Sequence, residues 1–199
     1  MTTTIDMIRH GEPVGGKRYR GQIDDPLSDK GWAQMRAAVG EHCPWDAIIS
    51  SPLKRCAAFA EELSAHHRLP LTLDARLMEL GFGDWEGKTA VELMAEDPEC
   101  LMNFWREPLK HTPPGAETLQ EFAARINAAW QELMSKYAGR HVLIVGHAGQ
   151  MRMVLSQVLC MPIEAMFRIQ VENAALSRIQ LDGVGGETLP RLIFHGGQL

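Results

Sequence analysis

Three strand-like segments of this 199-residue chain run out into basic side chains. Thr3 to Ile8 ends at Arg9-His10-Gly11, Asp46 to Ser50 leads into Ser51-Pro52 with Arg55 close behind, and Val142-Leu143-Ile144-Val145 empties into Gly146-His147-Ala148-Gly149. Two guanidiniums, two imidazoles and the free N–H groups of helix N-termini suit a doubly charged phosphoryl group, which guanidinium forks grip bidentately. A small phosphorylated metabolite is therefore the expected ligand. Each residue also has a plainer reading. Arg9-His10 is an ordinary strand-end pair, His147 could be a core histidine bonded to a carbonyl, and Glu79, beside Leu80-Gly81, could be a solvated loop residue. Position decides between them, because ligands of open α/β sheets collect beyond the carboxyl ends of the parallel strands.

The elements that would place these residues are legible. Thr3–Ile8 is short and β-branched, favouring a strand over a helix. Ser28 can cap a helix reaching about Glu41, with Trp32, Met35 and Val39 on one face. Asp46–Ser50 is a second strand. Ser51-Pro52 reads as a helix start, a capping hydroxyl followed by proline at the first helical position, with the helix reaching His66 or His67. Leu71–Leu73 is a third strand. Leu119, Phe122, Ile126, Trp130 and Leu133 recur at helical spacing within Thr118–Lys136. The continuous apolar run Val142–Val145 marks a strand buried on both faces of a parallel sheet, followed by a helix from about Gln150 to Leu159. Further strands are expected at Leu176–Leu181 and Arg191–Phe194.

Together these give a three-layer α/β fold, with a mostly parallel central sheet, helices on both faces, and residues 1–199 in one domain. Residues 84–117, with short helical stretches near Val91–Met94 and Leu101–Trp105, form an excursion over the site rather than a second domain. Trp85, Phe104 and Trp105 could stack on a substrate base or simply hold that excursion down.

Composition narrows the functional classes. Twenty Lys+Arg against 25 Asp+Glu give a formal charge of -5, which disfavours a sequence-independent grip on nucleic acid or an anionic membrane. Cys43, Cys56, Cys100 and Cys160 form no C-x-x-C pair, so buried thiols are expected rather than a zinc or redox motif. No export signal or membrane-spanning run stands out, and a cytoplasmic protein is expected. No cofactor and no metal are implied.

Five ordered blocks resemble the histidine phosphatase superfamily, also called the phosphoglycerate mutase-like family. They are Ile8-Arg9-His10-Gly11-Glu12, the Gly21–Gly31 stretch with Asp24, Pro26 and Leu27, Ser51-Pro52-Leu53-Lys54-Arg55-Cys56-Ala57, Glu79 through Gly87, and Gly146-His147-Ala148-Gly149. The resemblance implies that His10 is the nucleophile, that Arg9, Arg55 and His147 hold the phosphoryl group, and that Glu79 handles the proton. Ala148 and Gln22 would face the substrate. Phe82-Gly83-Asp84-Trp85-Glu86, Trp105 before Pro114-Gly115-Ala116-Glu117, and Met161 to Phe167 look like α-ribazole-phosphate phosphatases of cobalamin synthesis. The activity so implied is metal-independent hydrolysis of α-ribazole 5′-phosphate or a related nucleotide through a phosphohistidine. The alternatives are a phosphoglycerate mutase, a sugar-phosphate phosphatase, or a non-catalytic phosphate-binding module.

Overall fold

The computed structural model describes residues 2–184 and 187–197. Its elements in chain order are β1 (Thr2–Arg9), α1 (Asp29–Val39), β2 (Ala47–Ser50), α2 (Lys54–His67), β3 (Leu71–Leu73), α3 (Ala90–Glu96), α4 (Pro98–Arg106), α5 (Leu119–Lys136), β4 (His141–Gly146), α6 (Ala148–Val158), β5 (Leu176–Val184) and β6 (Glu187–Gly197). Single 3-10 turns lie at Ala75–Leu77 and Gly83–Trp85, and a longer one at Ile163–Arg168.

The strands form one six-stranded sheet in the order β3-β2-β4-β1-β5-β6. The first four are mutually parallel, and β5 and β6 extend the sheet antiparallel beyond β1. Alternation along the strands sorts the core into two layers. Ile5 and Met7 of β1 and Val142 and Ile144 of β4 face α5 and α6, where Phe122, Ile126, Met151 and Leu155 close the layer. Ile8, Leu143 and Val145 point the other way, onto Met35 of α1 and Phe59 and Leu63 of α2. The three-layer architecture expected from the sequence is thus the one observed.

Local chemistry explains most boundaries. Ser28 caps α1, its hydroxyl accepting from the Gly31 N–H at 3.0 Å, and Gly40 ends the helix at φ 54°, where a side chain would be strained. Thr118 and Glu121 form a capping box at the start of α5. The expected start of α2 needs correction. Ser51 lies ahead of the cap position: its hydroxyl accepts from the Leu53 N–H at 3.3 Å and meets His147, while the helix begins at Lys54, whose N–H donates to the Asp24 carboxylate at 2.6 Å. The two C-terminal strands run longer than their apolar cores suggested, because each pairs along its full length in a hairpin. No helix among the described residues is long and apolar enough to cross a membrane.

The excursion carries α3 and α4. Trp85 and Phe104 are buried within it, with ring centroids 5.3 Å apart edge to face, while Trp105 is 41% exposed. Trp105 also packs edge to face on Phe104 and Phe167, so all three aromatics help hold the excursion down, and only Trp105 keeps a large exposed surface.

Candidate active site

Register brings the basic strand ends together. Arg9 at the end of β1 lies opposite Gly146 of β4, and the His10 N–H donates to the Gly146 carbonyl at 2.9 Å, extending the ladder one step past the sheet. On the other side of β4 the Ser51 N–H donates to the Val145 carbonyl at 3.0 Å. His10, Ser51 and His147 therefore sit side by side at one sheet edge. The two imidazoles have centroids 5.3 Å apart and are inclined at 65°, close enough to contact one tetrahedral anion together.

The tautomer of His10 follows from its partner. Nδ1 is 2.7 Å from the Gly11 carbonyl, which can only accept, so Nδ1 carries the hydrogen and Nε2 keeps its lone pair. Burial, reinforced by the charges of Arg9 and Arg55, holds the His10 pKa well below the ordinary 6.5. The ring is neutral at pH 7 and presents an unprotonated nitrogen. His147 is also pushed well down, by burial first and then by Arg55, and its Nε2 lies 2.8 Å from the Ser51 hydroxyl. Beneath it the Cys56 thiol donates to the Gly146 carbonyl, and burial raises its pKa, so it stays a neutral packing group.

The guanidiniums are held by carbonyls rather than acids. Arg55 is 1% exposed and donates to Ile23 O at 2.6 Å and Gly21 O at 2.7 Å, while Arg9 donates to Val171 O at 2.6 Å. The Nε atoms of both arginines are buried without an acceptor. A buried and a half-buried cation without a carboxylate in ion-pair contact are costly unless an anion supplies the missing charge.

Glu79 approaches from the loop after β3. Its Oε1 accepts from the Leu80 N–H at 3.0 Å and its Oε2 from the Gly149 N–H, at the start of α6, at 3.2 Å. A Cβ on Gly149 would stand 2.2 Å from the Glu79 Oε1, so a side chain there would push the carboxylate aside. Arg125 of α5 fixes the loop itself, donating to the carbonyls of Arg76 (2.8 Å), Met78 (2.7 Å) and Glu79 (2.8 Å) and pairing with Glu117. Glu117 in turn accepts from the Gly81 N–H at 3.2 Å.

A cavity of about 170 Å³ opens onto this edge, with Arg9, His10, Glu79 and Ala148 at its base and Tyr19, Trp105 and Phe167 on its wall. Arg55 and His147 lie just behind that base. Gln22, like Arg55 and His147, is an expected substrate contact outside this lining. It is exposed on the neighbouring loop, where its backbone N–H donates to Glu86 at 2.9 Å. A larger recess of about 710 Å³ lies elsewhere, against Trp130, Met134 and Val158, but its lining holds no titratable side chain. Among the described residues no three His, Cys, Asp or Glu side chains gather in a metal-holding group.

Sequence reasoning missed Arg125, Glu117 and Arg152, a further arginine on the cavity wall. The signal for Arg125 was present: it sits beside Phe122 and Ile126 on the buried stripe of α5, where a charge needs a reason.

The model of the histidine phosphatase superfamily (branch 1) matches residues 5–191. The chain belongs to that superfamily. The match embraces the whole site, from Arg9 to Glu79 and His147. A bifunctional protein of Mycobacterium tuberculosis is 31% identical over 202 residues, covering 99% of this chain and 55% of the relative, so the chain spans about half that protein's length. The adenosylcobalamin/alpha-ribazole phosphatase of Salmonella typhimurium is 28% identical, covering 88% of this chain and 89% of the relative. Among solved structures, a mycobacterial glucosyl-3-phosphoglycerate phosphatase superposes with a TM-score of 0.84 at 28% identity, covering 97% and 98% of the two chains. These likenesses support an enzyme of the phosphatase and mutase class and leave its substrate open.

Proposed function

We propose that this histidine phosphatase superfamily member is a metal-independent phosphomonoester hydrolase working through a phosphohistidine on His10. The observation that carries this reading is the fixed tautomer of His10: Nδ1–H is committed to the Gly11 carbonyl, which leaves Nε2 unprotonated on a ring kept neutral by burial and by the charges of Arg9 and Arg55.

A substrate phosphate would meet Arg9, Arg55 and His147, whose charges and N–H donors stabilise the equatorial oxygens as charge spreads over them. The His10 Nε2 lone pair attacks phosphorus, the P–O bond to the alcohol breaks, and its electron pair leaves with the alkoxide. The acid form of Glu79 gives a proton to that oxygen. Water then attacks the phosphohistidine, Glu79 takes back a proton, and the N–P bond breaks to return the lone pair to Nε2. Acid–base assistance of this kind is worth about 10²–10⁴ in rate.

For the leaving group, the wall of Tyr19, Trp105 and Phe167 supports a ring-bearing alcohol, and α-ribazole 5′-phosphate or a related cobalamin-pathway nucleotide is the substrate we favour. The similarity to the Salmonella enzyme supports the same reading. A phosphomonoester panel with chelator throughout tests it. Hydrolysis lost in His10→Ala, with α-ribazole 5′-phosphate turned over ahead of small sugar phosphates, is expected. A sugar phosphate turned over as well would overturn the substrate assignment, phosphoryl transfer to a second hydroxyl would favour a mutase, and phosphate binding without turnover would leave only a binding module.

A further inference from the structure

Beside the 170 Å³ cavity lies a second recess of about 540 Å³, sharing with it the side chains of Arg9, Arg18, Arg20, Ala148, Arg152 and Phe167. Its remaining lining adds Lys17 and Arg168, against the acids Glu12 and Glu172. In a chain of net charge -5 this is a pronounced local excess of cations. Internal pairing accounts for only part of it: Glu12 is taken by Lys30 at 2.7 Å and Arg20 by Asp25 at 3.0 Å.

Arg152 is the centre of the patch. It lies one turn into α6, on the same face as Ala148. Its Nε donates to the Ile169 carbonyl at 2.8 Å, which fixes the stem and turns the guanidinium along the shared wall. Among the described residues neither Arg152 nor Lys17, Arg18 or Arg168 forms an ion pair with a carboxylate. Arg18 is folded back on the Gly15 carbonyl at the rim, with no carboxylate in ion-pair contact. A half-buried guanidinium without a counter-ion, anchored through one nitrogen only, is poorly used unless something anionic meets it.

We infer that this recess is a second anion subsite, in which Arg152, backed by Arg18, Lys17 and Arg168, receives a carboxylate or second phosphate on the alcohol portion of the substrate. The inference rests on the hydrolase reading and refines it: among the nucleotides favoured above, one bearing a further anionic group is preferred to α-ribazole 5′-phosphate itself. The aromatic wall and the basic recess flank the same cavity mouth, so a ring and an anion on one leaving group can be held together. A free nucleoside 5′-phosphate engages the wall alone; a nucleotide with a further phosphate engages both.

Matched substrate pairs test this, each differing by the second anion: 3-phosphoglycerate with glycerol 3-phosphate for a carboxylate, and adenosine 3′,5′-bisphosphate with adenosine 5′-monophosphate for a phosphate. The bis-anionic member of at least one pair is expected to show a kcat/KM about tenfold higher, mainly through KM. Which pair responds distinguishes carboxylate from phosphate. Arg152→Met should bring the ratio close to one, and Arg168→Gln should lower it less. The same pairs titrated calorimetrically into His10→Ala read the subsite without turnover, and there too the second anion should tighten binding about tenfold and Arg152→Met should remove the gain. Ratios near one in both assays, with His10-dependent hydrolysis intact, overturn the subsite and leave the hydrolase standing. Absence of His10-dependent hydrolysis of any phosphomonoester, with binding still selective for the second anion, overturns the hydrolase and leaves the subsite.

Discussion

Two buried polar clusters hang on the same strand, four residues apart, and they are built on opposite principles. Asp6, in the middle of β1, is fully buried and fully answered: Trp45 donates to it at 2.8 Å, Arg178 at 2.7 and 3.0 Å, and His141 lies 2.9 Å away. Burial alone would raise its pKa, but hydrogen bonds from His141, Arg178 and Trp45 outweigh that and hold the carboxylate ionised. At the end of the strand, Arg9, Arg55 and the neutral rings of His10 and His147 gather with no carboxylate in ion-pair contact, Glu79 being the one acid that lines the cavity, and two guanidinium Nε atoms lack acceptors. The first cluster is complete within the protein and ties β1 to β5, to β4 and to the loop before β2. The second would be completed by an anion, as the proposed hydrolase requires. Saturation marks structure; a deficit of one sign marks function.

The sharpest way to break this contrast is to delete one member of each cluster. His10→Ala should cost at least about a thousandfold in kcat while the protein stays folded, because only the nucleophile is lost. Asp6→Ala should do the reverse, destabilising by about 3–5 kcal/mol through the exposed imbalance at Arg178 while turnover per folded molecule stays near wild type. Urea melts and steady-state kinetics on both variants read the two effects. A folded, active Asp6→Ala protein of wild-type stability would refute the structural role.

Glu79→Gln comes next in size. It should slow alkyl phosphates about 10²–10⁴-fold and an aryl phosphate far less, since an aryl leaving group hardly needs the proton. Equal losses would remove the acid role. Gly149→Ala should reproduce a milder form of that pattern, roughly tenfold on alkyl esters, because the new methyl displaces the Glu79 carboxylate from its N–H donor. Helix propensity favours the alanine, so a loss of activity without loss of stability is the signature sought.

The smallest effect is in stability against pH. His10 and His147 have folded pKa values well below 6.5, so the unfolded chain binds protons that the folded chain does not as pH falls through that value. Stability should therefore decline below about pH 6.5, by up to about 1.4 kcal/mol per pH unit for each ring, and His10→Ala should flatten the slope. Asp6 works in another window. Its contribution is complete above 3.8 and is lost only as pH falls through its depressed value. Melts at pH 7.5, 6 and 5 separate the clusters.

Much of this arrangement was legible from residue order alone. The strand ends at Arg9 and Gly146 were visible because apolar runs stop there abruptly, and the parallel-sheet rule placed them on one edge. What stayed hidden depends on through-space partners. Asp24 supplies the cap that Ser51 was expected to give, because Ser51 is drawn to His147 across β4. Arg125 reaches three carbonyls of a loop more than 40 residues earlier in the chain, and no local pattern records that reach. The fate of Trp85 and Phe104 was equally nonlocal, since only the packing of the excursion decides which aromatics face inward.

The central claim, that the His10 Nε2 accepts the phosphoryl group, is tested most directly by quenching the enzyme in alkali during turnover and mapping phosphate by mass spectrometry. A phosphate on His10, stable in alkali, lost in acid and absent in His10→Ala, is the expected result. Sustained hydrolysis with His10 unmodified at every quench time would contradict it.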